Sequence, residues 1–74
     1  MKINPNQFRK RYNIPVSTEA KMRKDKVVPF QTIGRFIVYD QGITDDLAEK
    51  GLLGRNAAIA IANLKEADAS EEHF

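Results

Sequence analysis

The chain has 74 residues, no cysteine, a single histidine and a formal net charge of +2. A chain of this length forms one small domain, whose core rarely supplies more than about 3–5 kcal/mol of net stability. Without cysteine, a disulfide framework and a cysteine-based zinc site are excluded. The sequence has no apolar run of membrane-spanning length and no signal-peptide pattern, so we expect a soluble, cytoplasmic protein that does not enter a membrane.

The charges are distributed unevenly along the chain. Residues 1 to 40 contain nine Lys or Arg and three acidic residues, a net of +6, whereas residues 41 to 74 contain three basic and seven acidic residues, a net of −4. A basic half joined to an acidic half is typical of a protein with a nucleic-acid-binding face. Ordinary solvated surface charge is the alternative interpretation.

The first predicted helix begins at N-P-N-Q-F, positions 4 to 8. Asn4 is a preferred N-cap residue, and Gln7 is placed to complete a capping box. The helix should run to about Tyr12, because Phe8 and Tyr12 are four residues apart and therefore share the face that points to the core.

A second helix follows a short break at Ile14 and Pro15, since proline disfavours helical geometry in the residue before it. The helix should begin near Val16 or Ser17, with Ser17 as the expected cap. Glu19 and Arg23 have the spacing of a favourable ion pair. The side chains left for solvent are Thr18, Lys21, Lys24 and Asp25.

A β-hairpin is predicted after Pro29, from residues 30 to 33 and 36 to 39. The intervening Gly34 and Arg35 match a type II′ turn, which has glycine first. Arg35 then lies at the tip of the hairpin. The side chains expected to face the helices are Ile33, Ile37 and Tyr39, with the assignment of faces left open by Phe30 and Phe36.

A third helix is predicted over residues 44 to 50, with Thr44 as its cap. Gly51 follows as the left-handed residue past the end, and Leu47 and Leu52 are spaced for the hydrophobic contact of a Schellman motif.

The last predicted helix is rich in alanine and runs from Ala57 to about Ala69. One stripe at helical spacing contains Ala57, Ala60, Ile61, Leu64 and Ala67. Ile59 lies on the opposite side, so the first turns are apolar all round. Either the domain clasps this helix on two sides or one side meets another chain. The self-association candidates are Ile59, Ile61 and Leu64.

Helix, turn, helix, proline and hairpin thus occur in this order over residues 8 to 39. The matching motifs are F-x-x-x-Y-x-I-P-V-S-T-E-A-K-M-R-K, the link V-V-P-F and the hairpin I-G-R-F-I-V-Y-D. Together they resemble the winged helix-turn-helix of the MerR superfamily, in the phage and mobile-element branch of excisionases and AlpA-type regulators. Two departures from that pattern are Pro15 at the start of the second helix and the polar pair Glu19 and Arg23 at positions that are often apolar.

This resemblance implies a helix-turn-helix with a small β-hairpin wing, and the segment after Asp40 has no counterpart in it. Together with the C-terminal helices that the helical patterns predict, the expected fold is mainly α. Residues 1 to 41 would form the winged helix-turn-helix DNA-binding module. Residues 42 to 69 would form C-terminal helices that pack on it or mediate self-association, and residues 70 to 74 a frayed acidic tail.

The resemblance also implies that the second helix enters the DNA major groove while the wing reaches the neighbouring minor groove or the backbone. The contacts expected from the second helix are Ser17, Thr18, Lys21 and Lys24. The expected wing contact is Arg35, and the expected contacts to the DNA backbone are Arg9, Lys10 and Arg11. A plain helix cap for Ser17, and a solvated surface position for each of Lys21, Lys24 and Arg35, are the alternatives.

The expected function is that of an excisionase, a recombination directionality factor that binds and bends double-stranded DNA, in several copies, to bias an integrase. A transcriptional repressor or activator of the element's own promoters is the alternative. A third hypothesis is a small protein-interaction module or inhibitor that uses the C-terminal apolar helix.

No enzymatic activity and no cofactor are expected. The sequence offers no glycine-rich phosphate loop and no nucleophile paired with a base. Asp45, Asp46 and Glu49 are better explained by the helix dipole than by a metal ion, so no metal site is predicted.

Overall fold

The computed structural model describes the backbone of residues 1 to 72 and the side chains of residues 1 to 66. Within these residues the chain is mainly helical, with a small antiparallel sheet, which confirms the predicted mainly α fold with a hairpin. The elements are β1 (Lys2–Ile3), α1 (Pro5–Tyr12), α2 (Val16–Lys24), β2 (Gln31–Ile33), β3 (Phe36–Asp40), α3 (Gln41–Glu49) and α4 (Arg55–Glu72). None of the helices in this part of the chain has the length and apolar character needed to cross a membrane.

The predicted acidic tail lies partly outside the described residues. Helix α4 continues to Glu72, three residues beyond its predicted end. Residues 73 and 74 and the side chains of residues 67 to 72, which include that of Ala67, fall outside the description. The tail therefore stays a prediction.

The sheet has the order β1-β3-β2, with all pairs antiparallel. Gly34 has a positive φ of 62° and Arg35 has a negative φ, which is the φ pattern of a type II′ turn. Strand β1 was not predicted, because two residues are too short to give a periodic pattern.

The strand register corrects the predicted position of Ile33. Ile33 pairs with Phe36, and directly opposed residues of an antiparallel pair point to the same face. Ile33 therefore lies on the opposite face from Ile37 and Tyr39. Its side chain is 60% exposed, whereas Tyr39 is fully buried. The prediction that Ile33 faces the helices is wrong.

The start of α1 and the start of α2 near Val16 are confirmed, but the prediction that Ser17 caps α2 is wrong. Asn4 and Gln7 form the reciprocal capping box, with N–H to side-chain oxygen distances of 2.8 and 2.9 Å. In α2 the N-cap is Pro15, which provides no side-chain cap, and Ser17 lies within the first turn. Proline suits this position because its restricted φ and extended ψ of 157° match an N-cap backbone.

Helix α3 begins three residues earlier than predicted. Asp40 is its N-cap and accepts a hydrogen bond from the Ile43 N–H at 3.2 Å. Thr44 is not a cap but a fully buried residue inside the helix. Because the helix starts at Gln41, its first turn contains no acidic residue.

The end of α3 agrees with the prediction. The Leu52 N–H donates to the Leu47 carbonyl at 3.0 Å, and the Gly51 N–H donates to the Ala48 carbonyl at 3.1 Å. Gly51 has φ of 77°. These are the two hydrogen bonds and the left-handed residue of a Schellman motif.

The core lies between α1, the inner face of the sheet and the last two helices. Phe8 is at its centre, stacked on Tyr39 with ring centroids 4.2 Å apart and edge-on to Tyr12 at 5.1 Å. The buried apolar residues are Ile3, Phe8, Tyr12, Ile14, Val28, Tyr39, Ala48, Leu53, Ala57 and Ile61.

Helix α4 places the three self-association candidates on two different sides. Ile61 is part of the chain's own core, so it is unavailable for a contact with another molecule. Ile59 is 50% exposed and Leu64 38% exposed. The side of α4 that carries Ile59 is therefore not covered by the domain itself.

Candidate nucleic-acid interface

The outer face of α2 carries three polar side chains in a row. Ser17, Lys21 and Lys24 are spaced i, i+4 and i+7, so they lie on one side of the helix. All three are exposed, and neither lysine forms an ion pair with a residue whose side chain is described. The opposite side of α2 carries Glu19 and Arg23. The structure thus brings these three predicted contacts together on a free surface.

Thr18, the fourth predicted contact on this helix, lies beside the row rather than in it. Together with Arg55, it lines a concavity between the start of α2 and the start of α4. Arg55 is exposed, and so is Lys26, which follows α2 with a left-handed φ of 58°. Neither was among the predicted contacts, although their charge was visible in the sequence.

The hairpin projects from the domain with its tip free. All three residues of β2 are exposed, and so are Gly34 and Arg35. Arg35 forms no ion pair within the described side chains. The next residue, Phe36, is also largely exposed. The tip therefore presents a cation and an aromatic ring to solvent.

Two of the three predicted backbone contacts are bound inside the molecule. Arg9 donates to the carboxylate of Glu19 and to the side chain of Asn6. Arg11 binds Asp45 through two hydrogen bonds of 2.7 and 2.8 Å. The side chains of Arg9 and Arg11 are only 23% and 27% exposed. Of the three, Lys10 alone is fully on the surface.

Glu19 is a buried hub that the sequence did not reveal. Its side chain is 1% exposed and accepts hydrogen bonds from Arg9, Arg23 and the Tyr39 hydroxyl, the last at 2.6 Å. Such a set of donors is what a buried carboxylate needs, because an unpaired charge is strongly disfavoured away from water. The spacing in the sequence predicted only the Glu19–Arg23 pair, which is confirmed.

A second polar cluster of similar composition lies on the other side of α1. The Tyr12 hydroxyl donates to Asp45 at 2.6 Å and lies 2.6 Å from the Thr44 hydroxyl. Burial, together with the hydrogen bond to Asp45, raises the pKa of Tyr12 to about 12. Burial also acts to raise the pKa of Asp45, but the hydrogen bonds from Arg11 and Tyr12 outweigh it, so that this pKa is lowered.

Tyr39 has an environment like that of Tyr12. Burial raises its pKa to about 12, and the hydrogen bond to Glu19 acts in the same direction. The two tyrosine hydroxyls are therefore neutral donors to carboxylates at physiological pH.

No group of acidic or histidine side chains within the described residues could hold a metal ion. Comparison of the chain with protein-family models, curated proteins and solved structures gives no match. The chemistry available at the surface is hydrogen bonding by hydroxyl groups and attraction of anions by lysine and arginine.

Proposed function

We propose that the protein binds double-stranded DNA with the outer face of α2 in the major groove and the hairpin as a wing. The observation that carries the proposal is the exposed row of Ser17, Lys21 and Lys24, whose helix is held to the domain by its opposite face. The major groove, about 12 Å wide, accommodates an α-helix, and the first residues of such a helix meet the base edges.

The chemistry of each side chain suggests its role. Ser17 and Thr18 are near the start of α2, where their hydroxyls can donate to or accept from base edges. Lys21 can reach guanine acceptors or a phosphate, and Lys24 is placed for a phosphate. Arg35 suits a narrow minor groove, whose negative potential attracts arginine.

The order of elements supports a winged helix-turn-helix of the MerR type. Helices α1 and α2 are joined by a tight turn with a left-handed Asn13, and a hairpin follows. By resemblance, we propose an excisionase of a phage or mobile element, with control of the element's own promoters as the alternative. Bending DNA costs about 1–6 kcal/mol, which several bound copies can share.

Fluorescence anisotropy tests the proposal. Labelled duplex from the gene's upstream and attachment-site region is titrated against a scrambled duplex at 50 and 200 mM salt. If about four to five phosphates are neutralised, log affinity falls with log salt at a slope of about −4, or roughly 250-fold over this range. A slope near zero, or equal affinity for the two duplexes, would contradict sequence-specific DNA binding.

Charge-matched variants sharpen this test. Lys21→Ala and Arg35→Ala should each weaken binding by about tenfold, because each removes a proposed contact. Lys50→Ala is the control. Lys50 is an exposed lysine at the end of α3, outside the proposed interface, and it pairs with Asp46 at 2.9 Å. It should change affinity less than about twofold. An equal loss for all three variants would indicate non-specific attraction by net charge.

The exposure of Ile59 and Leu64 on α4 favours one second candidate, a protein-interaction module. Such a module would bind its partner through the exposed apolar residues of α4 and would not use the proposed DNA contacts. The combined variant Lys21→Ala and Arg35→Ala should then retain its partner and its biological effect. Loss of the effect together with loss of DNA binding would reject this candidate.

A further inference from the structure

We propose that the hydrogen bond between Tyr39 and Glu19 holds the hairpin at a set position relative to α2, so that both residues are positioning residues for the wing. The consequence for DNA rests on the proposed function, but the mechanical role does not. Neither residue is among the predicted DNA contacts, and both are buried.

Apart from the bonds of the Tyr39 hydroxyl, no hydrogen bond among the described residues joins the hairpin to α2. Its tip and the whole of β2 are exposed, so the tip's position is determined at its base. Among the described residues, only two hydrogen bonds join α2 to the sheet, and both involve the Tyr39 hydroxyl. This hydroxyl donates to Glu19 at 2.6 Å and accepts from Arg23 at 3.1 Å.

The acceptor of this bond is itself held in place. Arg9 from α1 and Arg23 from α2 both bind the Glu19 carboxylate. The ring of Tyr39 is stacked on Phe8 of α1. The three elements α1, α2 and β3 therefore meet at one buried carboxylate.

The distance from Tyr39 to the tip of the hairpin makes the Tyr39–Glu19 hydrogen bond important for the position of Arg35. Arg35 is four residues before Tyr39, which along a strand corresponds to about 13 Å. A rotation of about 10° at the base would move the tip by about 2 Å. A hydrogen bond tolerates a change of only about 0.5 Å in its donor–acceptor distance. A hairpin that rotates by this angle at its base therefore loses a hydrogen bond made by its tip.

The chain provides a matched control. The Tyr12 hydroxyl also donates to a carboxylate that an arginine binds. Here the carboxylate is that of Asp45, which belongs to α3, and the arginine is Arg11. Tyr12→Phe therefore removes the same chemical group as Tyr39→Phe, from an equally buried ring, without touching the junction of α2 and the sheet.

Amide hydrogen exchange measured by NMR tests the mechanical role. Tyr39→Phe should speed exchange of the β2 and β3 amides at least about fivefold more than that of the α1 amides, whereas Tyr12→Phe should speed both by the same factor. A uniform acceleration in both variants would overturn the proposal. Should Tyr39→Phe fail to fold, Arg23→Met replaces it, because that change removes the hydrogen bond that Arg23 donates to the hydroxyl and the ion pair that helps to hold Glu19 in place.

A double-mutant cycle on DNA tests the consequence for binding. Arg35→Ala should weaken binding about tenfold in the wild-type and Tyr12→Phe backgrounds, but less than about threefold in the Tyr39→Phe background. An equal effect of Arg35→Ala in all three backgrounds would overturn the positioning role. If Tyr39→Phe speeds amide exchange in the hairpin but neither the wild type nor any variant binds DNA, the role of the Tyr39–Glu19 hydrogen bond is supported and the proposed function is rejected.

Discussion

Raising the pH above 10 should unfold the domain through its tyrosines. Tyr12 and Tyr39 are the only two tyrosines of the chain, which has no tryptophan. Burial raises the pKa of each to about 12, whereas a tyrosine in an unfolded chain titrates near 10. A folded-state pKa that is raised contributes stability that is fully present below pH 10 and is lost as the pH rises through about 12.

The size of the loss follows from the two pKa values. At pH 11 each tyrosine has lost about 1.4 kcal/mol of its contribution, and at pH 12 about 2.3 kcal/mol, so the pair has lost about 2.7 and 4.6 kcal/mol. A domain of this length has only about 3–5 kcal/mol of net stability. Unfolding should therefore have its midpoint between about pH 11 and 12.

Two optical signals measure this transition. Absorbance at 295 nm reports ionised tyrosine, and circular dichroism at 222 nm reports helix. We expect both to change together and cooperatively, whereas the chain in 6 M guanidinium chloride should titrate near pH 10. The ion pairs of the lysines are on the surface and contribute little to stability, while Glu19 and Asp45 are bound by arginines. Tyrosine ionisation near pH 10 with unchanged dichroism would refute the reasoning.

Three substitutions test other features of the fold. Glu19→Gln should lower the free energy of unfolding, measured in urea, by about 2–3 kcal/mol. This is less than the loss of a fully buried ion pair costs, because Arg9 and Arg23 are partly exposed. A loss below about 0.5 kcal/mol would show that the Glu19 ion pairs do not stabilise the fold. Gly51→Ala should cost about 1 kcal/mol, or roughly 4–8 °C in Tm, because φ is 77° there; an unchanged Tm would contradict the strain argument. Ile59→Asp should leave Tm nearly unchanged and, if α4 mediates self-association, give monomers in sedimentation; an unchanged mass would reject that role.

Local signals in the sequence predicted the ends of elements well where the partners are neighbours in the chain. Asn4 and Gln7 cap α1, and Gly51 ends α3, because each motif is complete within a few residues. Thr44 followed by two aspartates has the pattern of a helix start, yet Tyr12 binds this threonine from 32 positions away and the helix begins earlier. Asp40 is both the last residue of β3 and the cap of α3, a junction with no intervening turn that the sequence does not signal.

The candidate interface shows the same division. Helical periodicity predicted that Lys21 and Lys24 are exposed, and they are. It could not predict that Arg9 and Arg11 are bound inside the molecule, since their carboxylate partners lie 10 and 34 positions away. Periodicity indicates which side of a helix faces solvent, but it does not indicate which acid from another element comes to meet a given arginine.

The internal arginine pairs have a consequence for how this surface could read DNA. Arginine binds guanine with two hydrogen bonds from a rigid planar group, whereas lysine, which also reaches guanine acceptors, is a point charge on a flexible side chain. On α2 the arginine, Arg23, faces inward to Glu19, and the exposed cations are lysines. If α2 enters the major groove as proposed, Lys24 positions the protein on a phosphate and Lys21 selects a base less strictly than an arginine would. Sequence preference would then depend on the hydroxyls near the start of α2 and on DNA shape, which an arginine at a wing tip can sense in a narrow minor groove.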